Sequence, residues 1–383
     1  MRKPENEAAR SIELIDRFAP ADEKGQAEQF REVLTELAAA LKEEGAKNLL
    51  HATDEQIAAY AVTVTAERAA QAQEAIQALR DAGNRMDAEK AACAALRTIQ
   101  TKTPDRLESV ATNHTYKGCL TRFAEAIAKD GVTLKDVTVT RANEYLNDLK
   151  ERGLSQKTID QNRQAIQALF IADGRLAENG KLERVKTDET VLTSRAYTAE
   201  QIGFICERQS ERYALATRIM YESGVRAEGL LTLRRIEERA PDVRHYADGS
   251  VKALPEKFQG LPEGRAYTVQ EKGGLIREIR IPEKEAAQLE SLRRAEPVWV
   301  SDRGIRYQSF YDLPGGSRVS SSFSHASQKA LGWSNGAHGC RHSYAQNRMD
   351  TLQRAGVLYE RALEVVSQEM GHFRDTITLT YLR

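Results

Sequence analysis

The apolar positions of this chain recur mostly at helical spacing, and short polar stretches mark where one helix ends and the next begins. In the first 100 residues Ala, Glu and Gln dominate, with almost no Pro or Gly. The segment GQAEQFREVLTELAAALKEE predicts a helix over 25–44, stopped by Gly45. Thr53 and Gln56 have the spacing of a capping box, in which each side chain bonds the other residue's backbone N–H. A second helix therefore starts there and runs to Asp81, before the turn signal Ala82-Gly83-Asn84. A third helix covers 87–100. This region reads as a small helical bundle or an oligomerising arm, and a solvated appendage without chemistry of its own fits its composition best.

TKTPDR (101–106) reads as a linker, because Pro104 is unsuited to a helix interior. Helical periodicity then returns in three pieces. TYKGCLTRFAEAIAKDG ends at Gly131, TRANEYLNDLKERG runs from Thr140 to Gly153, and SQKTIDQNRQAIQALF starts at Ser155. Their exposed faces carry Lys, Arg, Gln and Asn, a surface suited equally to phosphate contacts and to plain solvation. A second linker, NGKLERVKTDETVLTSR, spans 179–195. Thr198 and Gln201 repeat the capping-box spacing and open a new helical domain. Between 241 and 282 the texture changes to Pro, Gly and short β-branched runs, and AYTVQE and LIREIRI around Gly273-Gly274 predict a hairpin. Helices resume at 283–295 and again from about 320, and no internal repeat of fixed period is present.

A length of 383 residues implies two or three domains, and an apolar fraction of 41% is enough for real cores. Charged residues at 29% indicate a soluble protein, and no apolar run is long enough for a membrane helix. The start lacks the apolar stretch of a secretion signal, so a cytoplasmic location is expected. Cys93, Cys119, Cys206 and Cys340 are scattered and read as reduced structural thiols. Net charge is zero, yet roughly five excess acids in the first 100 residues are countered by roughly four excess bases from about 190 onward. A neutral sum therefore leaves room for a local basic groove.

Candidate chemistry is concentrated in the last third. Arg226 follows Gly224 and precedes GLLTLR, whose leucines make an apolar face, so its fork sits at a core edge where it can grip an oxyanion bidentately or pair with Glu222 or Glu228. Lys272 stands at the tip of the expected hairpin beside two glycines that let backbone come close to a ligand. In HGCRH, His338 and Arg341 are three apart and share a helix face, whereas His342 points elsewhere and reads as structural. A zinc site from His338, Cys340 and His342 lacks further ligands at suitable spacing, and no phosphate-loop glycine pattern is present. His372 follows Gly371, and Tyr381 comes nine residues later. A tyrosine needs cations around a phosphate and a nearby proton acceptor to become a nucleophile.

Taken in order, the arginine helix, lysine hairpin, His-x-x-Arg, Gly-His and distal Tyr resemble the tyrosine recombinase (phage integrase) family. The resemblance covers residues 107 to 383 and implies a mainly α fold. A SAM-like helical core-binding domain over 107–178 would precede a mixed α+β catalytic domain over 195–383 with a small β-hairpin or sheet; the helical arm of 1–100 lies outside the resemblance. It further implies that Arg226 and Arg341 clamp a scissile DNA phosphate and that His372 donates a further hydrogen bond to it. Lys272 would protonate the departing 5′ oxygen, His338 would assist proton transfer, and Tyr381 would form a 3′-phosphotyrosine link. No metal or other cofactor would be needed, since guanidinium groups supply the positive charge. Partners would be double-stranded DNA recombination sites, held in a C-shaped clamp by a homo-tetramer on two sites, with possible accessory DNA-bending proteins. The implied function is site-specific breakage and rejoining that mobilises a genetic element. A relaxing or hairpin-forming enzyme like the type IB topoisomerases, or a catalytically silent DNA-binding protein of the same fold, is the alternative.

The chain departs from the family's pattern in three places. Gly229 stands where an acid usually follows the first arginine by three residues, with Glu228 one earlier. The stretch 241–265 before the hairpin is long. The sequence also ends two residues after Tyr381, where many relatives continue with a helix that docks on a neighbouring subunit; coupling would then fall to residues beyond it or to the N-terminal arm. The run TITLTYL is rich in β-branched residues, so only the family resemblance makes it a helix.

Overall fold

Helix-forming segments in the first half of the chain bury their apolar stripes against one another in two cores. A computed structural model describes all residues except 19–24, 104, 106–109, 188–192, 246–247, 272, 373 and 383. Residues 1–190 form one unit and residues 191–383 another. Helix α1 (Pro4–Phe18) is followed by a 3₁₀ turn over Gln26–Phe30 and by α2 (Arg31–Glu43), so the helix expected over 25–44 begins as a tighter turn. The capping box of Thr53 and Gln56 forms and opens α3 (Asp54–Ala61). That helix does not reach Asp81. The run Val62-Thr63-Val64-Thr65 is β-branched, and the Thr65 side chain caps a new helix, α4 (Ala66–Lys102).

Helix α4 continues through Ala82-Gly83-Asn84, where a turn was expected, and includes the segment 87–100. Gly83 serves packing instead: a Cβ there would lie 2.7 Å from Leu50 Cδ1. The first half of α4 buries Ala72, Ile76 and Leu79 with Ile12, Leu34, Leu37 and Leu41. Its second half buries Ala92, Leu96 and Ile99 with Phe123, Leu146, Ile166 and Phe170 of α5 (Val110–Ala128), α6 (Val139–Glu151) and α7 (Gln156–Ala172). Thr138 caps α6, two residues earlier than expected, and Ser155 caps α7 as its spacing predicts. Much of 179–187 is not a free linker. Leu182 and Val185 join the second core, and Gln156 donates to the Val185 carbonyl at 3.0 Å.

In residues 191–383, the reciprocal Thr198–Gln201 box opens α8 (Ala199–Glu207), and α9 (Glu211–Ser223) follows. Strands β1 (Arg234–Arg235), β2 (Gly264–Gln270) and β3 (Ile276–Pro282) form an antiparallel sheet in that order, with Thr268 opposite Arg234 and Glu278. The hairpin expected around Gly273-Gly274 is therefore present. Helix α10 (Glu283–Ser291) ends four residues short of the expected 295, and the chain turns into β4 (Arg293–Asp302) and β5 (Ile305–Tyr311). Sequence reading misses this second hairpin. Its signal is the turn Asp302-Arg303-Gly304, with φ of 50° at Arg303 and 79° at Gly304. Helices α11 (Gly316–Leu331), α12 (Gly339–Arg354) and α13 (Tyr359–Glu369) complete the unit, and TITLTYL ends it as a 3₁₀ helix over Asp375–Tyr381 rather than an α-helix. The architecture is mainly α, and among the described residues the small antiparallel sheets lie in the second unit. Among the described residues no helix is long and apolar enough to cross a membrane.

Two features of this unit bear on the site. Gly224 ends α9 in the left-handed conformation (φ 62°), and a Cβ there would meet the buried Tyr344 ring at 2.5 Å. The long stretch before the hairpin packs under the C-terminal segments: Phe258 N–H donates to Glu369 Oε1 at 2.7 Å, Gln368 Nε2 to the Lys252 carbonyl at 2.9 Å, and Arg244 NH1 to the His372 carbonyl at 2.5 Å. Gly224→Ala should destabilise the protein by about 2–4 kcal/mol, combining a left-handed backbone with overpacking against Tyr344. Chemical denaturation of the variant beside the parent measures it, and a loss under about 0.5 kcal/mol would contradict it.

Candidate functional site

Two helices end close to one buried arginine. Gly224 is the C-cap of α9 and Met370 the C-cap of α13, so each offers a backbone carbonyl left over by its helix. Arg341, in the first turn of α12 and only 1% exposed, donates NH1 to the Gly224 carbonyl and NH2 to the Met370 carbonyl. Helix C-termini carry partial negative charge, which suits a cation removed from water. Burial still pushes the Arg341 guanidinium down to about 10, against the attraction of Glu271. Its Nε–H has no acceptor among the described protein groups.

Arg226 lies just beyond Gly224. The expected pairing with Glu222 or Glu228 does not form. Instead the Arg226 backbone N–H donates to Glu271 Oε1 and its NH1 to Oε2, both at 2.7 Å. Oε2 also accepts from Arg277 Nε at 3.0 Å and lies 4.0 Å from Arg341 NH1. Burial alone would raise the Glu271 carboxyl, but Arg277, Arg341 and Arg226 outweigh it and hold it at about 2. Arg277 in turn donates to the Glu369 carbonyl at 2.6 Å and to the Gly224 carbonyl at 3.1 Å, so it caps the same two helix ends as Arg341.

His338, the N-cap residue of α12, lines a cavity of about 200 Å³ together with Val225, Arg226, Ala227, Glu228, Ser320, Ala337 and Arg341. Sharing that cavity is what their spacing of three predicts for His338 and Arg341. Burial, and then the positive charges of Arg341 and its neighbours, hold the His338 imidazole down at about 4. His372 is buried, with Nδ1 2.9 Å from Thr378 Oγ1 and Nε2 3.1 Å from Arg341 NH2. Because the guanidinium can only donate, Nε2 is the acceptor and the proton of the neutral ring sits on Nδ1. Burial first, then Arg341 and Arg226, lower His372 to about 3.

The ring of Tyr381 is buried among these groups. Its centroid lies 5.2 Å from His372, 5.5 Å from His338 and 4.8 Å from His342, and the Arg341 guanidinium carbon lies 5.5 Å from it. His342 therefore faces the tyrosine rather than pointing elsewhere, because four residues along α12 bring it back to the side of His338. The cavity lining does not include Tyr381 or His372. Of the six residues singled out from the sequence, five come together here, and Lys272 lies outside the described residues. Cys340, between the two histidines, is fully buried in the apolar core with its thiol raised by burial. Among the described residues no group of His, Cys, Asp and Glu side chains is placed to hold a metal ion.

Sequence reasoning missed Glu271, Arg277, His342 and Ser320. Only Glu271 had a readable signal, namely that Gly229 leaves the first arginine without its usual nearby acid. The neutral state of both histidines has a consequence for stability. Each folded pKa lies below the unfolded value, so the native state resists protonation that the unfolded chain accepts, and stability falls as pH drops below about 6.5 toward 3–4. His372→Asn should remove up to about 1.4 kcal/mol per pH unit of that slope. Urea midpoints between pH 7 and 5 test it, and parallel curves for variant and parent would refute it.

No family model matches the chain, and a search of curated proteins finds no match. Among solved structures, the chain is similar to the integrase of the Tn1549 transposon in complex with transposon right end DNA, at 17% identity and a TM-score of 0.47 over 76% of this chain and 94% of that one. It is also similar to a lambda integrase dimer bound to a COC′ core site, at 16% identity and a TM-score of 0.48 over 76% and 94% of the two chains. A third similar structure is the XerH site-specific recombinase bound to palindromic difH substrate, at 15% identity and a TM-score of 0.45 over 100% of this chain and 93% of that one.

Proposed function

We propose that this protein is a tyrosine recombinase that cuts and rejoins duplex DNA through a covalent link to Tyr381. One observation carries the reading: the Tyr381 ring is enclosed by His338, His342, His372 and Arg341, beside a cavity lined by Arg226, His338 and Arg341. A buried tyrosine packed among imidazoles and a fixed guanidinium is suited to attack a phosphodiester. A purely structural tyrosine has no use for that setting.

The chemistry follows from the groups present. A DNA phosphate entering the cavity meets the two guanidiniums, and the unpartnered Nε–H of Arg341 is ready to donate to an oxygen of the anion. His338, held neutral, can accept the phenolic proton as the Tyr381 oxygen bonds to phosphorus. The bond to the 5′ oxygen then breaks, and the phosphate stays joined to the tyrosine through its 3′ side. By the motif resemblance, Lys272 supplies the proton to the departing 5′ oxygen. His372 first holds Arg341 in place through its Nε2 lone pair. A phosphate alongside favours its protonation, after which that nitrogen donates to the phosphate instead of accepting from Arg341. Attack of a new 5′ hydroxyl reverses the steps and rejoins the strand without ATP. Double-stranded recombination sites held by a tetramer, with core-binding contacts from 107–178, complete the proposal.

Tyr381→Phe should abolish covalent attachment to a nicked suicide duplex while leaving duplex affinity within about threefold, since only one hydroxyl is lost. A persistent protein–DNA adduct from the variant on denaturing gels would rule the mechanism out. Arg341→Ala should slow adduct formation by at least about 100-fold, the usual worth of a donor to transition-state oxygen charge.

A further inference from the structure

The carboxylate of Glu271 sits among three guanidiniums at the mouth of the hairpin, in the place that an acid at position 229 would claim. Its side chain is 3% exposed and accepts from Arg226 through both oxygens, once from the backbone N–H and once from the side chain. A Cβ on Gly229 would stand 2.7 Å from Val225 Cγ2, 3.0 Å from Glu271 Oε1 and 3.2 Å from its Cγ. An acidic side chain at 229 and Glu271 are therefore alternative ways of filling one volume, and this chain carries the acid on the hairpin. The hairpin is closed at that point: Glu271 N–H donates to the Leu275 carbonyl, and Gly274 N–H donates back to the Glu271 carbonyl at 3.0 Å.

Resting on the recombinase reading, we propose that Glu271 is the positioning residue of the arginine clamp, setting the orientation of Arg226 from the hairpin rather than from the turn that carries the arginine. Without its charge, Arg226, Arg277 and Arg341 would repel one another across a few ångströms, and Arg226 would swing away from the cavity. Glu271 does not line the cavity, so it acts through Arg226 and not on the phosphate itself.

Single-turnover adduct formation on a nicked suicide duplex tests this with the full chain, comparing the parent, Glu271→Gln, Arg226→Lys and the double variant. Glutamine keeps the shape and one acceptor but not the charge, and lysine keeps a charge but not the fork. Glu271→Gln should slow adduct formation by about 30-fold or more in the parent background, with duplex affinity within about threefold, and by under about threefold in the Arg226→Lys background. A general loss of fold would slow both backgrounds by the same factor. An unchanged Glu271→Gln rate, equal losses in both backgrounds, or a double variant with no measurable adduct would each overturn the assignment. Absence of any adduct from the parent protein would instead overturn the recombinase reading beneath it.

Discussion

The C-terminal unit depends on how a fully buried guanidinium is kept charged. Arg341 is removed from water, and the cost is offset by carbonyls at the C-termini of two separate helices, by the Nε2 lone pair of His372, and by the Glu271 carboxylate 4.0 Å away. Those contacts fix the start of α12 against the ends of α9 and α13, since moving any of the three leaves a buried charge without its partners. Arg277 repeats the pattern on the same two helix ends, so both the Gly224 carbonyl and the end of α13 are held from two sides.

Burial and the same concentration of positive charge together govern the neighbouring titratable groups. Buried beside guanidiniums, His338 and His372 bind a proton less readily, and the Glu271 carboxyl is held well below its ordinary range. The unit thus packs the neutral imidazoles of His338 and His372 against the Tyr381 ring, a charge state that water-exposed histidines would not sustain at mildly acidic pH. A second buried pair, Arg348 with Glu369, lies one layer below and ties Tyr344 and Phe258 to α13, so the site stands on a further layer of satisfied charge. The long stretch before the hairpin takes part in this support. Arg244 reaches from it to the His372 carbonyl, and Arg348 donates to the Gln259 carbonyl.

Local signals decided many of the helix starts. Thr53, Ser155 and Thr198 cap the helices their spacing predicts, and the alternating runs around Gly273-Gly274 pair as a hairpin. Where the sequence misled, the causes were both long-range and local. Gly83 reads as a turn but serves the approach of Leu50, whereas the local cap of Thr65 ends α3 early and the turn Asp302-Arg303-Gly304 makes a hairpin in a stretch where the sequence predicts no element.

The sequence by itself determined which residue types are present and in what order: arginine after a helix, His-x-x-Arg at a helix start, Gly-His and a distal tyrosine. Those depend on spacing within a few residues, which local geometry controls. Only the tertiary structure decided that Glu271 serves Arg226 across 45 residues, that His342 faces Tyr381, and that two helix ends meet on Arg341. Partnerships of that kind arise from burial, where a charge takes whichever partner the packing brings within reach, and no periodicity along the chain records that choice.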